Sequence, residues 1–516
     1  MPETIEEAFA EAVTLHRGGN LDEAEDFYRA VLDADPEHAD ATNLLGVLAA
    51  DQGYHDEAVE LIGQAIGYQP ENPFYFFSLG NVFMCQDLYE DAVVCYEQSL
   101  ELDPNQGVAN QNLAAMLRHQ GKFEEAERAC AHALELLPET VEVYHLYSEI
   151  LRDLGRHPEA VDICRKALAL DSNNDESHNM LGNALKNVGD VDGAVAAFGV
   201  AMNLLFGLDR PDRPGDVLST QTTHGKLEHD IQQITYLMEK GLLGDEYEDV
   251  VRAYSEVLDD LPPPEADGVS SVELPPHLLE RIAPTYNRIL HITQAPMLGG
   301  PAVNPDLDGA ALEALYQKNG PGYVCFDDLL TPEALESLRR FCLESTIWFH
   351  FRYSHGRVAT LQGNGFFTPL LAQISEEMRS LMPNVFGDHR LNQAWGYKYN
   401  THPQGINEHA DFAAVNVNFW ITPDEANQDP ESGGLVVWDK PAPMDWTFAQ
   451  FNQDQEGLRK FIAEEKAKRI VFAHRQNRVV IFNSNLVHMT DTLNFKPGYE
   501  NHRINVTMLF GDRKTA

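Results

Sequence analysis

Apolar and small residues recur along the first two hundred positions with one long period. Ala24, Ala58, Ala92, Ala126, Ala160 and Ala194 follow one another at intervals of 34 residues. Four places after each alanine stands a larger or apolar residue: Tyr28, Ile62, Tyr96, Cys130, Cys164 and Phe198. The same register returns Gly19, Gly53, Gly121, Gly155 and Gly189, with Asp87 in the remaining slot. Pro36, Pro70, Pro104 and Pro138 close four units, and Ser172 stands where a fifth proline would. This pattern predicts a repeated helix–turn–helix. Small residues let two antiparallel helices approach closely. The turn glycine takes backbone angles that other residues resist. The proline stops the second helix before the next unit begins. About six units run from residue 5 to about residue 208.

Beyond that point the register is lost. RPDRPGD reads as a breaker, and KLEHDIQQITYLMEKG and YEDVVRAYSEVLDDL have helical spacing of apolar residues. These segments are expected to continue or cap the array, and LPPPEADGVSSVELPP to form an exposed linker. His224 and His229 fall here, with a surface or capping role expected. After about residue 320 the texture changes again. GYVCFDDLLTPEALESLRRFCLE predicts a short strand, a turn and an amphipathic helix capped by Thr331. AWGYKY, AVNVNFWIT, GLVVWD, RVVIFN and RINVTMLF then predict successive strands of a β-sandwich or barrel. The expected domains are 1–208, a helical cap and linker over 209–308, and 309–516.

Charge narrows the functional classes. The net charge is −44, and residues 1–200 carry 38 acidic against 10 basic side chains, leaving 43 and 27 for the rest. Such a field repels phosphates, so nucleic acid is not an expected partner. A solvated, solubilising surface is the simpler use of these carboxylates. The six cysteines, Cys85, Cys95, Cys130, Cys164, Cys325 and Cys342, form no C-x-x-C pair and are expected as buried free thiols. MPETIEEAFAEAV lacks a basic region before an apolar run, and no stretch approaches a membrane span. A cytoplasmic protein without a membrane partner is expected.

Candidate chemistry lies in the β-rich part. In NEHADF, His409 and Asp411 stand two apart, and alternate residues of a strand point to one side. His488 follows the apolar run in IFNSNLVHMTD. Arg503, Asn505 and Thr507 share one face of a strand, opposite Ile504, Val506 and Met508. An arginine on an inward face needs an anionic partner. Two histidines and one carboxylate make the facial triad of mononuclear non-haem iron, with positions left open. Zinc accepts the same ligand types, usually with a fourth ligand or an activated water. His402, His474 and His502 are expected as packed or surface residues. For His350 and His355 a structural role is favoured over the mouth of a pocket, and for Trp395, Trp420 and Trp438 a core role over a substrate platform.

The 34-residue array resembles the tetratricopeptide repeat. That resemblance implies a superhelix whose concave face binds a protein or peptide segment. The slots it assigns to the groove include Asn43, Phe77, Gln111, His145 and Asn179, then Asn81, Glu149 and Asn183. One turn further come Arg118, Arg152 and Lys186, a basic row that could grip a carboxylate-bearing segment or pair with neighbouring glutamates. The C-terminal order His-x-Asp, a distal His and a following Arg looks like the 2-oxoglutarate-dependent oxygenases, closest to the prolyl-hydroxylase-like branch. Tyr399 ten residues before His409, the FWITP strand end and SGGL fit it too. The implied fold class is α+β multidomain, an all-α solenoid followed by a double-stranded β-helix, or jelly roll. The implied ligands to Fe(II) are His409, Asp411 and His488. Arg503 is implied to pair with the distal carboxylate of 2-oxoglutarate, aided by Tyr399 and less by Asn505. The implied activity is a dioxygenase that consumes dioxygen and 2-oxoglutarate and hydroxylates a recruited protein or peptide. A small-molecule hydroxylase, or a repeat scaffold with a degenerate oxygenase domain, remain the alternatives.

Overall fold

A computed structural model describes residues 4–210, 217–262, 271–351, 357–399 and 406–513. The chain divides into two compact units, Met1–Val188 and Gly189–Ala516.

The first unit is helical throughout: α1 (Ile5–Arg17), α2 (Leu21–Ala34), α3 (Ala39–Asp51), α4 (His55–Tyr68), α5 (Pro73–Cys85), α6 (Tyr89–Leu102), α7 (Gly107–His119), α8 (Phe123–Leu136), α9 (Val141–Asp153), α10 (His157–Leu170) and α11 (Asp175–Val188). Each even helix opens on acidic residues, such as Asp22 and Glu23 in α2 or Glu124 and Glu125 in α8. There they meet the positive end of the helix dipole. Part of the acidity thus has a local structural use. The turn slot of the repeat is left-handed in every unit, from Gly19 at φ 77° and Gly53 at 86° to Gly155 at 74°. Asp87 takes the same conformation at φ 59°. The periodic alanines Ala24, Ala58, Ala92 and Ala126 are fully buried. A second small slot lies on the facing helix. A Cβ on Gly46 would stand 2.7 Å from Ile62 Cγ1, and one on Gly80 2.7 Å from the Tyr96 ring. In the same register Ser148 Oγ meets Cys164 Sγ at 3.0 Å. Small residue against large residue is therefore the rule that closes each pair.

The second unit begins with α12 (Val191–Phe206), whose Phe198 packs edge-on against Phe367 and whose Phe206 stacks on Phe349 at 3.8 Å. Helices His224–Glu239 and Glu248–Asp260 follow as the periodicity predicts, flanked by the two-residue strands β1 (Gln221–Thr222) and β2 (Val272–Glu273), which pair with each other. Most of RPDRPGD and half of the expected linker lie outside the described residues, as do His355 and His402. His229 does not lie at the surface. It is buried against Trp348 and Tyr499, with Nδ1 at 3.0 Å from Asp230 Oδ1. Its aromatic partners come from more than a hundred residues away, where local periodicity carries no signal.

Among the described residues nine further strands form two antiparallel sheets: β3 (Tyr323–Phe326), β4 (Arg357–Leu361), β5 (Leu391–Tyr399), β6 (Val415–Trp420), β7 (Leu435–Pro441), β8 (Arg469–Phe472), β9 (Val479–Asn483), β10 (Leu486–Thr490) and β11 (Arg503–Phe510). The larger sheet has the order β3-β9-β6-β11-β5-β4 and the smaller β10-β7-β8. Thr331 caps the helix Pro332–Glu344 by accepting from Ala334 N. Ala394, Lys398, Ile504, Val506 and Met508 are buried on one face of the larger sheet, where Lys398 Nζ donates to the Cys342 carbonyl. The opposite face carries the polar alternates of β5 and β11. Four cysteines are buried and Cys325 partly so, but Cys85, at the end of α5, is exposed, against the expectation of buried thiols throughout. Among the described residues no helix is long and apolar enough to cross a membrane.

Candidate metal centre and its cavity

Local backbone pairing brings the two histidines together. His409 and His488 form an antiparallel bridge, N to O at 3.0 Å in one direction and 2.8 Å in the other. Directly opposed residues share a face, so the imidazoles lie side by side with ring centroids 4.2 Å apart. His488 follows the apolar strand β9, as the sequence suggests, and itself lies within β10, because residues 483–485 turn the chain straight back. Asp411 follows on the same side as His409, its backbone N–H bonded to Ser484 O at 3.1 Å.

The three side chains converge. Their ligand atoms all lie within 4.8 Å of one another. Asp411 Oδ1 is 3.9 Å from His409 Nε2, and Oδ2 is 3.4 Å from His488 Nε2. His409 Nδ1 is 2.8 Å from Asn407 O, and His488 Nδ1 is 3.0 Å from Leu486 O. A carbonyl can only accept, so each Nδ1 carries the proton and each Nε2 offers a lone pair to the shared point. Burial, with His488 beside it, pushes the His409 imidazole down to about 4, so it is neutral near pH 7. For Asp411 burial opposes ionisation, but the adjacent His488 and His409 rings and the amide donor of Asn416 outweigh it and hold the carboxyl below its ordinary range. Neutral imidazoles and an ionised carboxylate are the protonation states a divalent metal requires.

A relay of amides fixes that carboxylate. Asn416 Nδ2 donates to Asp411 Oδ2, Asn418 Nδ2 donates to Asn416 Oδ1, and Asn505 Nδ2 donates to Asn418 Oδ1. Thr507 closes the relay at 2.8 Å from Asn418 Oδ1. The structure thus commits the Asn505 amide N–H to Asn418 and Thr507 and leaves its Oδ1 without a partner. Asn416 and Asn418 were not singled out from sequence, although two asparagines inside AVNVNFW were visible as polar breaks in an apolar strand.

The triad opens on a cavity of about 470 Å³ between the two sheets, walled by Trp395, Tyr397, Tyr399, Thr490 and Asn505. Trp395 is therefore a half-buried wall of the cavity and not a core residue, while Trp420 and Trp438 are buried as expected. His474 and His502 are packed in the interior, and His350 accepts from Asn364 Nδ2 at 2.6 Å outside the cavity lining. Arg503 enters the same cavity. It is 1% exposed, with Nε at 2.6 Å from Gly433 O and Nη2 at 3.0 Å from Gly434 O. Its Nη1 is buried and, among the described residues, has no hydrogen-bond partner. Burial pulls the guanidinium down to about 10, which leaves it charged at neutral pH. Tyr399 holds its ring 4.9 Å from that guanidinium and its hydroxyl 3.3 Å from Thr490 Oγ1. Phe448, Asn452 and Gln455, from the segment after β7, complete one wall; no motif marks them in the sequence.

The repeat array has its own polar face. Arg118 is held by Glu149 at 2.7 Å and Asp153 at 2.6 Å, so the pairing reading applies to it. Arg152 reaches Asp153 at 3.4 Å and lines a small cavity of about 80 Å³ with Glu149, His157 and Asn183. Asn183 Nδ2 donates to Asn179 O, and Asn81 Oδ1 accepts from Tyr96 and Asn112. Lys186 is half-buried on α11.

Family models described as tetratricopeptide repeat match residues 9–73 and 117–175, 95–128 and 163–196, and 75–106. Residues 9–196 carry tetratricopeptide repeats. Similar solved structures include MamA, at 21% identity over 31% of this chain and 94% of that one, with a TM-score of 0.29. YrrB, described as a TPR protein with an unusual peptide-binding site, aligns at 16% identity over 34% and 91%, with a TM-score of 0.32. PilF of Pseudomonas aeruginosa aligns at 20% identity over 39% and 91%, with a TM-score of 0.36. No curated protein matches the chain. Tetratricopeptide arrays commonly bind protein or peptide partners.

Proposed function

We propose that the sheet-rich unit is an Fe(II)- and 2-oxoglutarate-dependent dioxygenase on a double-stranded β-helix, acting on a protein or peptide side chain recruited by the tetratricopeptide array. The convergence of His409, Asp411 and His488 beside the unpartnered Nη1 of Arg503 carries this reading. Both imidazoles present Nε2, the carboxylate is ionised, and a buried cation faces the same cavity; these features fit a metal together with a dicarboxylic keto acid. His409, Asp411 and His488 would hold the metal. When bound, Fe(II) with 2-oxoglutarate and dioxygen supplies the oxidising power for hydroxylating a C–H bond, the keto acid leaving as succinate and carbon dioxide.

This chain's own residues do the positioning. Arg503 holds its guanidinium in place through two glycine carbonyls and keeps one nitrogen for the distal carboxylate of the keto acid. The Tyr399 hydroxyl, beside Thr490, supplies a further hydrogen bond. Asn505 acts through the amide relay, keeping Asp411 aimed at the metal position. Trp395 and Tyr397 wall the cavity and exclude water. The experiment is oxygen uptake and succinate formation by the full chain with Fe(II) and 2-oxoglutarate. Turnover that His409→Ala abolishes is the expected result, and full turnover by that variant overturns the assignment.

A further inference from the structure

His409 is held from two sides. Its own backbone N–H and carbonyl pair with His488. The carbonyls of its two chain neighbours bond instead to the segment that follows β7. Asn452 Nδ2 donates to Ala410 O at 2.9 Å, and Gln455 Nε2 donates to Glu408 O at 2.9 Å. Ala410 N donates to Phe451 O at 2.8 Å. Two carboxamides, from Asn452 and Gln455, thus bracket one candidate metal ligand.

The core anchors this segment. Phe451 and Leu458 are buried in a cluster with Ala410, Val436 and Val487. Asp454 caps the helix Gln455–Glu464 by accepting from Gly457 N. A π-helical turn, Ala449–Gln453, precedes the cap. Such turns are rare and recur at functional sites. Phe448, just before the turn, lies edge-on to Phe451, stays 46% exposed and lines the cavity together with Asn452 and Gln455.

The Gln455 carboxamide has one half in use. A carbonyl only accepts, so the atom that meets Glu408 O is the Nε2 donor; the flipped amide would set two acceptors together. Oε1 is the remaining acceptor. It is buried and, among the described residues, has no hydrogen-bond partner. An acceptor cut off from water favours a ligand that brings a donor. The lining limits the charge of that donor. Among the described lining residues Asp411 is the one carboxylate, and it is a proposed metal ligand. An ammonium group would find no other carboxylate there, and burying it unpaired is costly. A neutral N–H meets the neutral oxygen without that cost. Trp395, Phe412 and Phe448 add aromatic surface to the same lining, which suits an uncharged group.

We infer that Gln455 is a specificity-determining residue that accepts a hydrogen bond from an amide N–H of the substrate, bound beside Phe448 on the His409 side of the cavity. The inference rests on the oxygenase reading of this cavity and names the chemistry of its substrate: a neutral amide. The N–H belongs to a peptide bond or to a primary carboxamide, and the choice of probes separates these sources.

The test is binding, with four probes that share a phenylacetyl group. N-methylphenylacetamide carries the N–H of a peptide bond, and phenylacetamide that of a primary carboxamide. N,N-dimethylphenylacetamide and methyl phenylacetate carry none. The full chain is loaded with Mn(II) and saturating 2-oxoglutarate, and paramagnetic broadening of each probe's NMR lines gives its affinity. The better N–H probe is expected to bind at least about tenfold more tightly than either probe without one. Tighter binding of the methylamide points to a polypeptide backbone and tighter binding of the primary amide to a side-chain carboxamide; either supports the inference. Gln455→Lys keeps a donor for Glu408 O and removes the acceptor, so it should bring the four affinities within about threefold of one another. Gln455→Met, a neutral side chain without the acceptor, should do the same. Gln455→Glu keeps an acceptor and removes the donor, so the preference should persist. Binding of 2-oxoglutarate within about twofold of wild type shows that a variant is folded. A purely structural role would weaken all four probes together and leave their ratios unchanged. Equal wild-type binding of probes with and without N–H, no binding of any probe by a chain that binds 2-oxoglutarate, or a preference that survives Gln455→Lys and Gln455→Met overturns the inference alone. A wild-type chain that binds no 2-oxoglutarate in the presence of Mn(II) overturns the oxygenase reading and this inference with it.

Discussion

Replacing Arg503 with methionine separates its structural and ligand-binding parts. The guanidinium makes two bonds to the protein, to Gly433 O and Gly434 O, and leaves Nη1 without a partner. Losing the first two exposes two buried carbonyls to an apolar side chain, a cost of about 1–3 kcal/mol each. Removal of a fully buried charge works in the opposite direction. The net loss of stability should therefore be no more than a few kcal/mol, and the variant should fold. The effect on 2-oxoglutarate should be larger, because the carboxylate then sits in a dry cavity with no cation. Breaking a buried pair on one side costs about 3–5 kcal/mol. That corresponds to roughly two to four decades in Kd. Arg503→Lys, which keeps a point charge without the planar fork, should lose less. Isothermal titration of 2-oxoglutarate into the Mn(II)-loaded full chain measures this, with thermal unfolding as the folding control. A folded Arg503→Met chain that binds 2-oxoglutarate within about threefold of wild type would refute the reasoning.

Four further outcomes follow from particular contacts. Asn416→Ala removes the amide that orients Asp411 and should weaken metal binding about tenfold to a hundredfold, measured by competition with a chelator. In the array, Gly80→Ala pushes a methyl to 2.7 Å from the Tyr96 ring and should cost about 1–3 kcal/mol by overpacking. Gly121→Ala meets no neighbour but must hold φ 74°, costing about 1–2 kcal/mol of backbone strain; urea denaturation of each variant reads these losses. Burial, helped by Arg503 and Arg478, pushes His474 down to about 3, while an unfolded histidine titrates near 6.5. Between those values the unfolded state binds the proton more tightly, so stability falls as pH falls below about 6.5 and the loss levels off near 3. At pH 5 this residue should cost about 2 kcal/mol, and His474→Gln should shrink the gap in urea midpoint between pH 8 and pH 5.

The repeat was legible because its constraint is local and recurs. A left-handed turn is needed once per unit, so Gly19, Gly53, Gly121, Gly155 and Gly189 stand in register and Asp87 fills the odd slot. The strands of the second unit were legible where apolar and polar residues alternate cleanly, as in Arg503–Phe510. What alternation could not reveal is which face of a polar alternate does what. Asn416 and Asn418 look like ordinary strand polar residues until Asp411 is placed beside them. Trp395 has the composition of a core residue, but its register opposite Thr507 turns it to the cavity. His229 shows the same limit in reverse: a helix-face histidine becomes an interior one through Trp348 and Tyr499, which sequence distance hides.

Equilibrium binding of Fe(II) under anaerobic conditions tests the central claim most directly. The account predicts one ion per full chain, with affinity at least about a hundredfold lower in each of His409→Ala, Asp411→Ala and His488→Ala. Wild-type binding that is absent, or that survives all three substitutions unchanged, would contradict it.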